Sequence, residues 1–480
     1  MIPDISFSSE LSNNKSVVYL IKKKSTISQF ELSKAEQKFL KENLNNGKKA
    51  IDINSYSHWN FFRVVENEKT VWQTKEELRK AACKLQNTLQ DLDEPEIQIV
   101  DNVENEEYVL AFAEGLILSS YKFNKYFTEE KKKKTGLKKI IIVSDKPNKK
   151  KWEQLKHLSL GVFISRDLVN EPLSSLNAQQ LSSEFEKMGK EAGLTVKVFD
   201  KKKIIELKMG GLLAVNKGSI DPPTFTVIEW KPTRFINDNP IVLVGKGVVY
   251  DSGGLSLKPT GDSMDYMKCD MSGAAAVAGA IYAIAKSKLP IHVVGLVPAT
   301  DNMPSGSAYA PGDVIKMMDG TTVEMLNADA EGRMILADAL CYAKKYDPML
   351  VIDLATLTGS AGAAVGRIAT VSFSKNADEL YASLEQSGYD TCERLVQFPL
   401  WDDYAEMIES KIADVKNVGG KYAGAITAAK FLERFTDYPW IHLDIAGPAF
   451  VQTKDSYRGV GGTGVGVRML FDFINRIVRK

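Results

Sequence analysis

The sequence predicts an α/β protein. A small N-terminal α/β domain (1–148) is joined by one long helix (149–171) to a larger α/β/α sandwich (172–480). Three features carry this reading. The first ~150 residues alternate strand-like and helix-like stretches. An unbroken helical pattern then begins at Asn148. Beyond it, runs that are apolar at every position are separated by glycine-rich turns and small-residue helices, as in a sheet covered on both faces.

In order, "SVVYLI" and "IQIV" are rich in β-branched residues and read as strands. "TKEELRKAACKLQNTLQ" and "NEEYVLAFAEGLILSSY" carry apolar residues at helical spacing, and "KKIIIVS" reads as a buried strand. "EEKKKKTG" (129–136) reads as an exposed turn. "NKKKWEQLKHLSLGVFISRDLVN" is the long helix, ending before Pro172. The buried strands of the second half lie in "PIVLVGKGVVYDSGG", "LPIHVVGLVPAT", "PMLVIDLATLTG" and "PWIHLDIAGPA". "GAAAVAGAIYAIAKS" and "GRMILADALCYAKKY" supply helices between them.

At 480 residues, 44% hydrophobic and 26% charged, the chain has the composition of a soluble globular protein. A net charge of +1 gives no global attraction to nucleic acid or acidic lipid. No apolar run approaches the ~18 residues of a membrane helix, and the N-terminus lacks the pattern of a signal peptide. Cys83, Cys269, Cys341 and Cys392 form no CxxC pair, which fits reduced thiols in a cytoplasm.

The chemistry concentrates where acids and lysines meet strand ends. In "NADAEGR", Asp329, Glu331 and Arg333 stand two apart, separated by Ala330 and Gly332. Helical periodicity starts only at Met334, so the stretch is expected to be extended, with both acids on one face. Two such carboxylates repel unless a cation or a proton lies between them. The alternative is an acid pair at a helix N-terminus with Arg333 as a surface partner. "GKGVVYDSGG" adds Lys246 and Asp251 where a buried strand breaks into glycines, and "LSLKPTGDSMDYMKCDMSGAAA" adds Lys258 and Asp270. Buried charges of this kind are costly unless paired or metal-bound.

Only four histidines and no HExxH argue against a histidine-built zinc site. Four carboxylates balance two divalent ions. A lysine beside them is driven neutral and becomes a ligand, while a second stays protonated and stabilises negative charge. Two ions ~3.5–4 Å apart activate a water and polarise a carbonyl or phosphoryl oxygen. The residues thus indicate a dimetal hydrolase and leave the bond open, a phosphoesterase included. Zn²⁺, Mn²⁺ and Mg²⁺ all suit carboxylate sites.

The motifs resemble the leucyl aminopeptidases (cytosol aminopeptidases). "NADAEGR" matches the family signature, with Ala328 in place of threonine. "VGKGVVYDSGG" matches with Tyr250 for phenylalanine, and "SLKP", "MKCDMSGAAA", "NMPSGSAYAPGDV", "DLATLTG", "AGAITAAKFL" and "GTGVGVR" also match. The likeness is dense from Arg166 to Leu470 and weak before residue 150.

The resemblance implies a dimetal peptidase domain over 172–480 that removes N-terminal residues by attack of a metal-bridging hydroxide. Asp251 and Glu331 are implied to bridge two ions (Mn²⁺ or Zn²⁺). Lys246 and Asp270 complete the tighter site and Asp329 the more exchangeable one. Lys258 polarises the scissile carbonyl, and Arg333 holds a bicarbonate ion acting as general base. Asp270 and the Leu357 carbonyl receive the substrate amine. Met267, Thr356, Gly359, Ala446 and Ala449 line the side-chain pocket, whose apolar make-up implies a leucine or methionine preference. Peptides with a free N-terminus are the expected partners, in a cytoplasmic homohexamer serving peptide turnover. A membrane role is not expected, and neither is nucleic acid. "KKKS" (22–25), "KKKK" (131–134) and "NKKKW" (148–152) are the segments that an additional DNA-binding role would use.

Overall fold

The computed structural model describes residues 2–66, 69–129 and 136–479; the lysine run at 131–134 lies outside them. The chain forms two compact units, Met1–Ser159 with Lys454–Gly459 and Leu160–Thr453 with Val460–Lys480. The return of Lys454–Gly459 to the first unit has no signal in the sequence.

The first unit holds a six-stranded sheet. Its strands are β1 (Asp4–Ser8), β2 (Val17–Lys22), β3 (Ala50–Asn54), β4 (Trp59–Val65), β5 (Glu96–Asn102) and β6 (Lys139–Val143), in the order β1-β6-β5-β2-β4-β3. All pairs are parallel except β3–β4. The helices of this unit are α1 (Lys34–Asn45), α2 (Val71–Asp91), α3 (Glu106–Ser119) and the first half of α4 (Lys149–Asn170). Val17, Tyr19 and Ile21 of the central β2 pack with Leu40 and Leu44 of α1. In α2, the buried Leu78, Ala82, Leu85 and Leu89 recur every three or four residues, which makes one apolar face. Inside the unit, Tyr457 of the returning segment donates to Glu76 (2.8 Å).

The second unit is the larger sandwich. Its main sheet contains β7 (Thr195–Phe199), β8 (Thr224–Trp230), β9 (Ile241–Gly245), β10 (Gly247–Asp251) and β11 (Val293–Asn302). A small separate sheet joins β12 (Asp313–Lys316), β13 (Thr322–Met325) and, later in the chain, Val415–Lys416. The main sheet continues with β14 (Leu350–Ala355), β15 (Thr370–Lys375), β16 (Leu395–Gln397) and, after the Val415–Lys416 strand β17, β18 (Trp440–Asp444). The main order is β16-β15-β18-β14-β9-β11-β8-β7, with β10 paired to β11. The centre, β18-β14-β9-β11, is parallel, and every residue of those four strands is buried. The outer pairs β15–β18, β11–β8 and β7–β8 are antiparallel, so the sheet is mixed.

Its helices are α5 (Ala178–Ala192), α6 (Lys201–Glu206), α7 (Gly210–Asn216), α8 (Ser272–Lys286), α9 (Glu331–Ala343), α10 (Gly359–Val365), α11 (Asp378–Thr391), α12 (Gly424–Glu433) and α13 (Val467–Arg479). α5, α8, α11 and α13 form one layer, and α7, α9 and α12 the other. Parallel central strands direct their C-terminal ends to one edge, where open α/β sheets place their sites.

The second half of α4 crosses α8 at two glycines. A Cβ on Gly161 would meet the Gly279 carbonyl at 2.3 Å, and one on Gly279 the Gly161 carbonyl at 2.4 Å. Alanine would gain ~1 kcal/mol of helix propensity at either position. The obstruction is backbone, which cannot swing aside, so overpacking at ~1–3 kcal/mol wins. Gly279→Ala is therefore expected to lower the thermal midpoint. An equal or raised midpoint by calorimetry would show that the two helices move apart at no cost.

Candidate metal centre

Strand β9 ends at Gly245, and Lys246 follows. Its N–H donates to Leu354 (3.0 Å), and its carbonyl accepts from Ala274 N (3.0 Å). Two glycines permit this closeness. A Cβ on Gly245 would meet Ala274 Cα at 2.6 Å, and one on Gly273 would meet the Leu354 carbonyl at 2.0 Å. The buried Lys246 ammonium then reaches Asp270 (2.8 Å), Glu331 (2.8 Å) and the Thr356 carbonyl (2.9 Å). Asp270 comes from the 3-10 helix Met264–Met271 that leads into α8, and it accepts from Thr356 Oγ1 (2.7 Å).

Asp251 closes β10 before Gly253 and Gly254, which turn the chain at φ +86° and +57°. It accepts from Gly253 N (2.9 Å) and Asn302 Nδ2 (2.8 Å), and its other oxygen lies 2.9 Å from Lys258. Lys258 also pairs with Asp329.

The expectation of an extended "NADAE" is corrected. β13 ends at Met325, residues 327–330 form a turn, and Glu331 is already the first residue of α9. Asn327 causes this: its side chain accepts from Asp329 N (2.8 Å) and its carbonyl from Ala330 N (3.2 Å). Glu331 and Arg333 consequently diverge within a helical turn. Glu331 faces Lys246, while Arg333 Nη1 donates to the Asn417 carbonyl (2.7 Å). Gly332 has a steric reason: a Cβ there would lie 2.7 Å from Lys246 Nζ.

Carboxylate oxygens of Asp251, Asp329 and Glu331 lie within 4.8 Å of one another. With Asp270, four acids face two lysines. Burial lowers the basicity of both lysines, but the surrounding carboxylates outweigh it and raise them. Burial first, then Asp251 and Glu331, push Asp329 up to about 7 despite Lys258. Burial likewise raises Asp270 well above the usual range, with Lys246 opposing. Glu331 Oε2 is buried with no hydrogen-bond partner. Asp270 Oδ2 and Glu331 Oε1 touch the Lys246 ammonium at 2.8 Å without hydrogen-bond alignment. Surplus negative charge and idle carboxylate oxygens fit divalent cations held by a mainly oxygen donor set. Burial presses Arg333 down to about 10, opposed by Glu331 and Asp444, and its Nε is a buried donor without a partner.

These groups line a cavity of about 830 Å³. Met267, Thr356, Leu357, Gly359 and Ala446 line it too. Ala449 does not. It is 2% exposed, its N–H is tied to Ile445 (3.0 Å) and its carbonyl to Thr463 (3.0 Å), so it lies under the wall that Phe450 and Gln452 complete.

Several supports went unread in the sequence. Asn302 donates to both Asp251 (2.8 Å) and the Ala328 carbonyl (2.9 Å), which also accepts from Tyr309 (3.0 Å). Those bonds hold the loop where Ala328 lacks a hydroxyl. Asn417 accepts from Leu326 N (2.9 Å) and donates to the Asn327 carbonyl (2.9 Å). Asp444 ties Leu357 N (3.1 Å), Thr358 (2.7 Å) and Ala446 N (3.2 Å) together along one wall of the cavity. Asn302 had a signal, its place at a strand end beside a matching loop. Asn417 had none. The Tyr250 hydroxyl donates to Met264 (3.0 Å). His442 is a core residue, bonded to Asp353 (2.6 Å) and stacked on Phe373 and Trp440. Of the lysine segments, Lys151 is engaged with Glu107 (2.6 Å).

Acids and lysines gathered at the C-terminal ends of a buried parallel sheet, around a roomy cavity, define a metal-dependent hydrolase. The cytosol aminopeptidase family, catalytic domain, matches residues 163–471. A probable cytosol aminopeptidase of Chlorobaculum tepidum is 49% identical over 391 residues, 77% of this chain and 75% of its own. One of Clostridium perfringens is 44% identical over 414 residues, 84% of each. Among solved structures, the bottromycin maturation enzyme BotP in complex with Mn aligns with a TM-score of 0.85 at 28% identity, over 97% of this chain and 100% of that one. A mutant of tomato leucine aminopeptidase aligns at 0.84 and 28%, over 99% and 97%. The chain belongs to the cytosol aminopeptidase family and is a metal-dependent aminopeptidase.

Two outcomes follow from these supports. Asn302→Ala removes the donor shared by Asp251 and Ala328, so Mn²⁺ affinity by calorimetry should fall ~10–100-fold; unchanged affinity would make the residue a bystander. His442 is held above its usual range: burial lowers it, but Asp353 overrides. A histidine raised in the folded state stabilises fully below its unfolded value of about 6.5 and loses that increment as pH rises through the folded value. The stability gap between wild type and His442→Gln should therefore shrink from pH 6 to 9. A gap that widens with pH would reverse the sign.

Proposed function

We propose that the enzyme removes apolar N-terminal residues, leucine and methionine above all, from peptides in the cytosol, using two divalent ions, Mn²⁺ or Zn²⁺. The observation that supports this best is the uncompensated carboxylate cluster, with Glu331 Oε2 buried and unpartnered. Asp251 and Glu331 would be shared by both ions. Lys246, neutral once they are bound, and Asp270 would complete the tighter site. Asp329, whose side chain is 32% exposed, would complete the exchangeable one.

When bound, the two ions supply an activated water and a Lewis acid for the peptide carbonyl. Lys258, held at the cluster beside Asp251 (2.9 Å) and Asp329, keeps its proton and would stabilise the negative carbonyl oxygen of the tetrahedral state. Asp270 and the Leu357 carbonyl accept from the substrate's neutral α-amine, which restricts cleavage to the first residue. Arg333, with an idle buried Nε, suits a bicarbonate ion that takes up the proton.

Met267, Thr356, Gly359 and Ala446 offer the first side chain no charged partner, so an acidic one would be buried at a cost of several kcal/mol. Each fitted methylene contributes ~1 kcal/mol. Family membership supports a homohexamer, which light scattering would detect; an active monomer would refute it.

Glu331→Gln should lower metal content and turnover together, whereas Lys258→Ala should keep its metal and lose mainly kcat. Full hydrolysis by metal-verified Glu331→Gln would end the two-ion reading. Leucine amide should exceed glutamate amide in kcat/KM by well over tenfold at fixed Mn²⁺; parity would reject the pocket assignment.

A further inference from the structure

The metal cluster fills one end of the cavity, and helix α10 builds a wall leading away from it. α10 begins at Gly359, in the proposed side-chain pocket, and stops at Gly366, whose N–H donates to Gly362 (2.8 Å) and whose φ is +62°. A Cβ on Gly447 would meet the Gly366 carbonyl at 2.1 Å, so the wall lies against the loop leaving β18. Arg367 comes next and also lines the cavity.

Four cations line this space. Lys246 is spent on Asp270 and Glu331, Lys258 on Asp251 and Asp329, and Arg333 on the Asn417 carbonyl. Among the described residues Arg367 has no ion pair and no hydrogen bond, and Asp262, on the same cavity, is not paired to it. Arg367 also acts on Tyr266, another lining residue. Burial raises that phenol, and the guanidinium pulls it back.

α10 itself, Gly359–Val365, rises about 9 Å, and Gly366 and Arg367 lie beyond its end. An extended peptide advances about 3.3 Å per residue, so this wall spans roughly three residues. A cavity of about 830 Å³ is near the upper end for a bound ligand and has room for more than the first residue.

We propose that Arg367 is a specificity-determining residue that pairs with a carboxylate on the leaving part of the peptide. That carboxylate is either the C-terminus of a short peptide or an acidic side chain two or three places along. The inference rests on the first residue sitting by Met267 and Ala446, as argued above.

The test compares kcat/KM for Leu-Gly-Gly with its C-terminal amide, and for Leu-Gly-Glu amide with Leu-Gly-Gln amide, on the metal-loaded full chain. Each ratio is internal to one preparation, so a general loss of activity cancels. An exposed ion pair predicts an acid preference of about three- to fivefold. It should fall to near one in Arg367→Gln and persist in Arg367→Lys. A preference in the first pair alone assigns the C-terminal carboxylate, and in the second pair alone the acidic side chain. Ratios of one in wild type for both pairs, or a preference that survives Arg367→Gln, overturn the proposal. Should wild type cleave no leucyl peptide, the proposed function fails separately, and the same ratios are read from dissociation constants by calorimetry.

Discussion

Four carboxylates and two ammonium groups are packed at the end of a buried sheet, and the charges do not cancel. In a low-dielectric interior that imbalance is expensive. Burial raises Asp270 and Asp329 toward their neutral forms, and Glu331 keeps an oxygen with no donor. The cluster is therefore strained as a purely protein assembly and relieved by divalent cations. Metal dependence in this chain is, in that sense, an electrostatic property of strand ends before it is a catalytic one.

Bringing those charges together requires backbones to approach more closely than side chains allow. Gly245 and Gly273 let α8 close on the Lys246 strand end, and Gly332 leaves room for the Lys246 side chain against the start of α9. Amides then fix the remaining freedom. Asn302 holds Asp251 to the Ala328 turn, and Asn417 holds that turn to the chain beyond β17. Asp444 stitches the two loops of the opposite wall. The reactive groups are placed by residues that need not touch a substrate.

The same geometry explains a division of labour among cations. Lys246, Lys258 and Arg333 are committed to the cluster or to the loop bounding it, so each is positioned at the cost of freedom. Arg367, carried past α10 by a left-handed glycine, is left unengaged on the cavity wall. A committed cation stabilises charge at a set point, whereas an unengaged one can select among ligands.

The sequence by itself determined the fold class and the chemical inventory. Its all-apolar runs read as strands covered on both faces, and the acids and lysines at their ends pointed to a cation or a proton between them. It misjudged "NADAE", because a local alternation of acids resembles a strand while the Asn327 turn and the helix it starts depend on hydrogen bonds that periodicity does not report. It also assigned Ala449 to the cavity, although an alanine's depth beneath a wall is set by neighbours distant in sequence. The antiparallel outer strands, the pairing of Asn417 with a turn 90 residues earlier and the return of Lys454–Gly459 to the first unit were decided only by tertiary structure. Each is a contact between segments whose local composition carries no mark of its partner, so only the folded chain selects it.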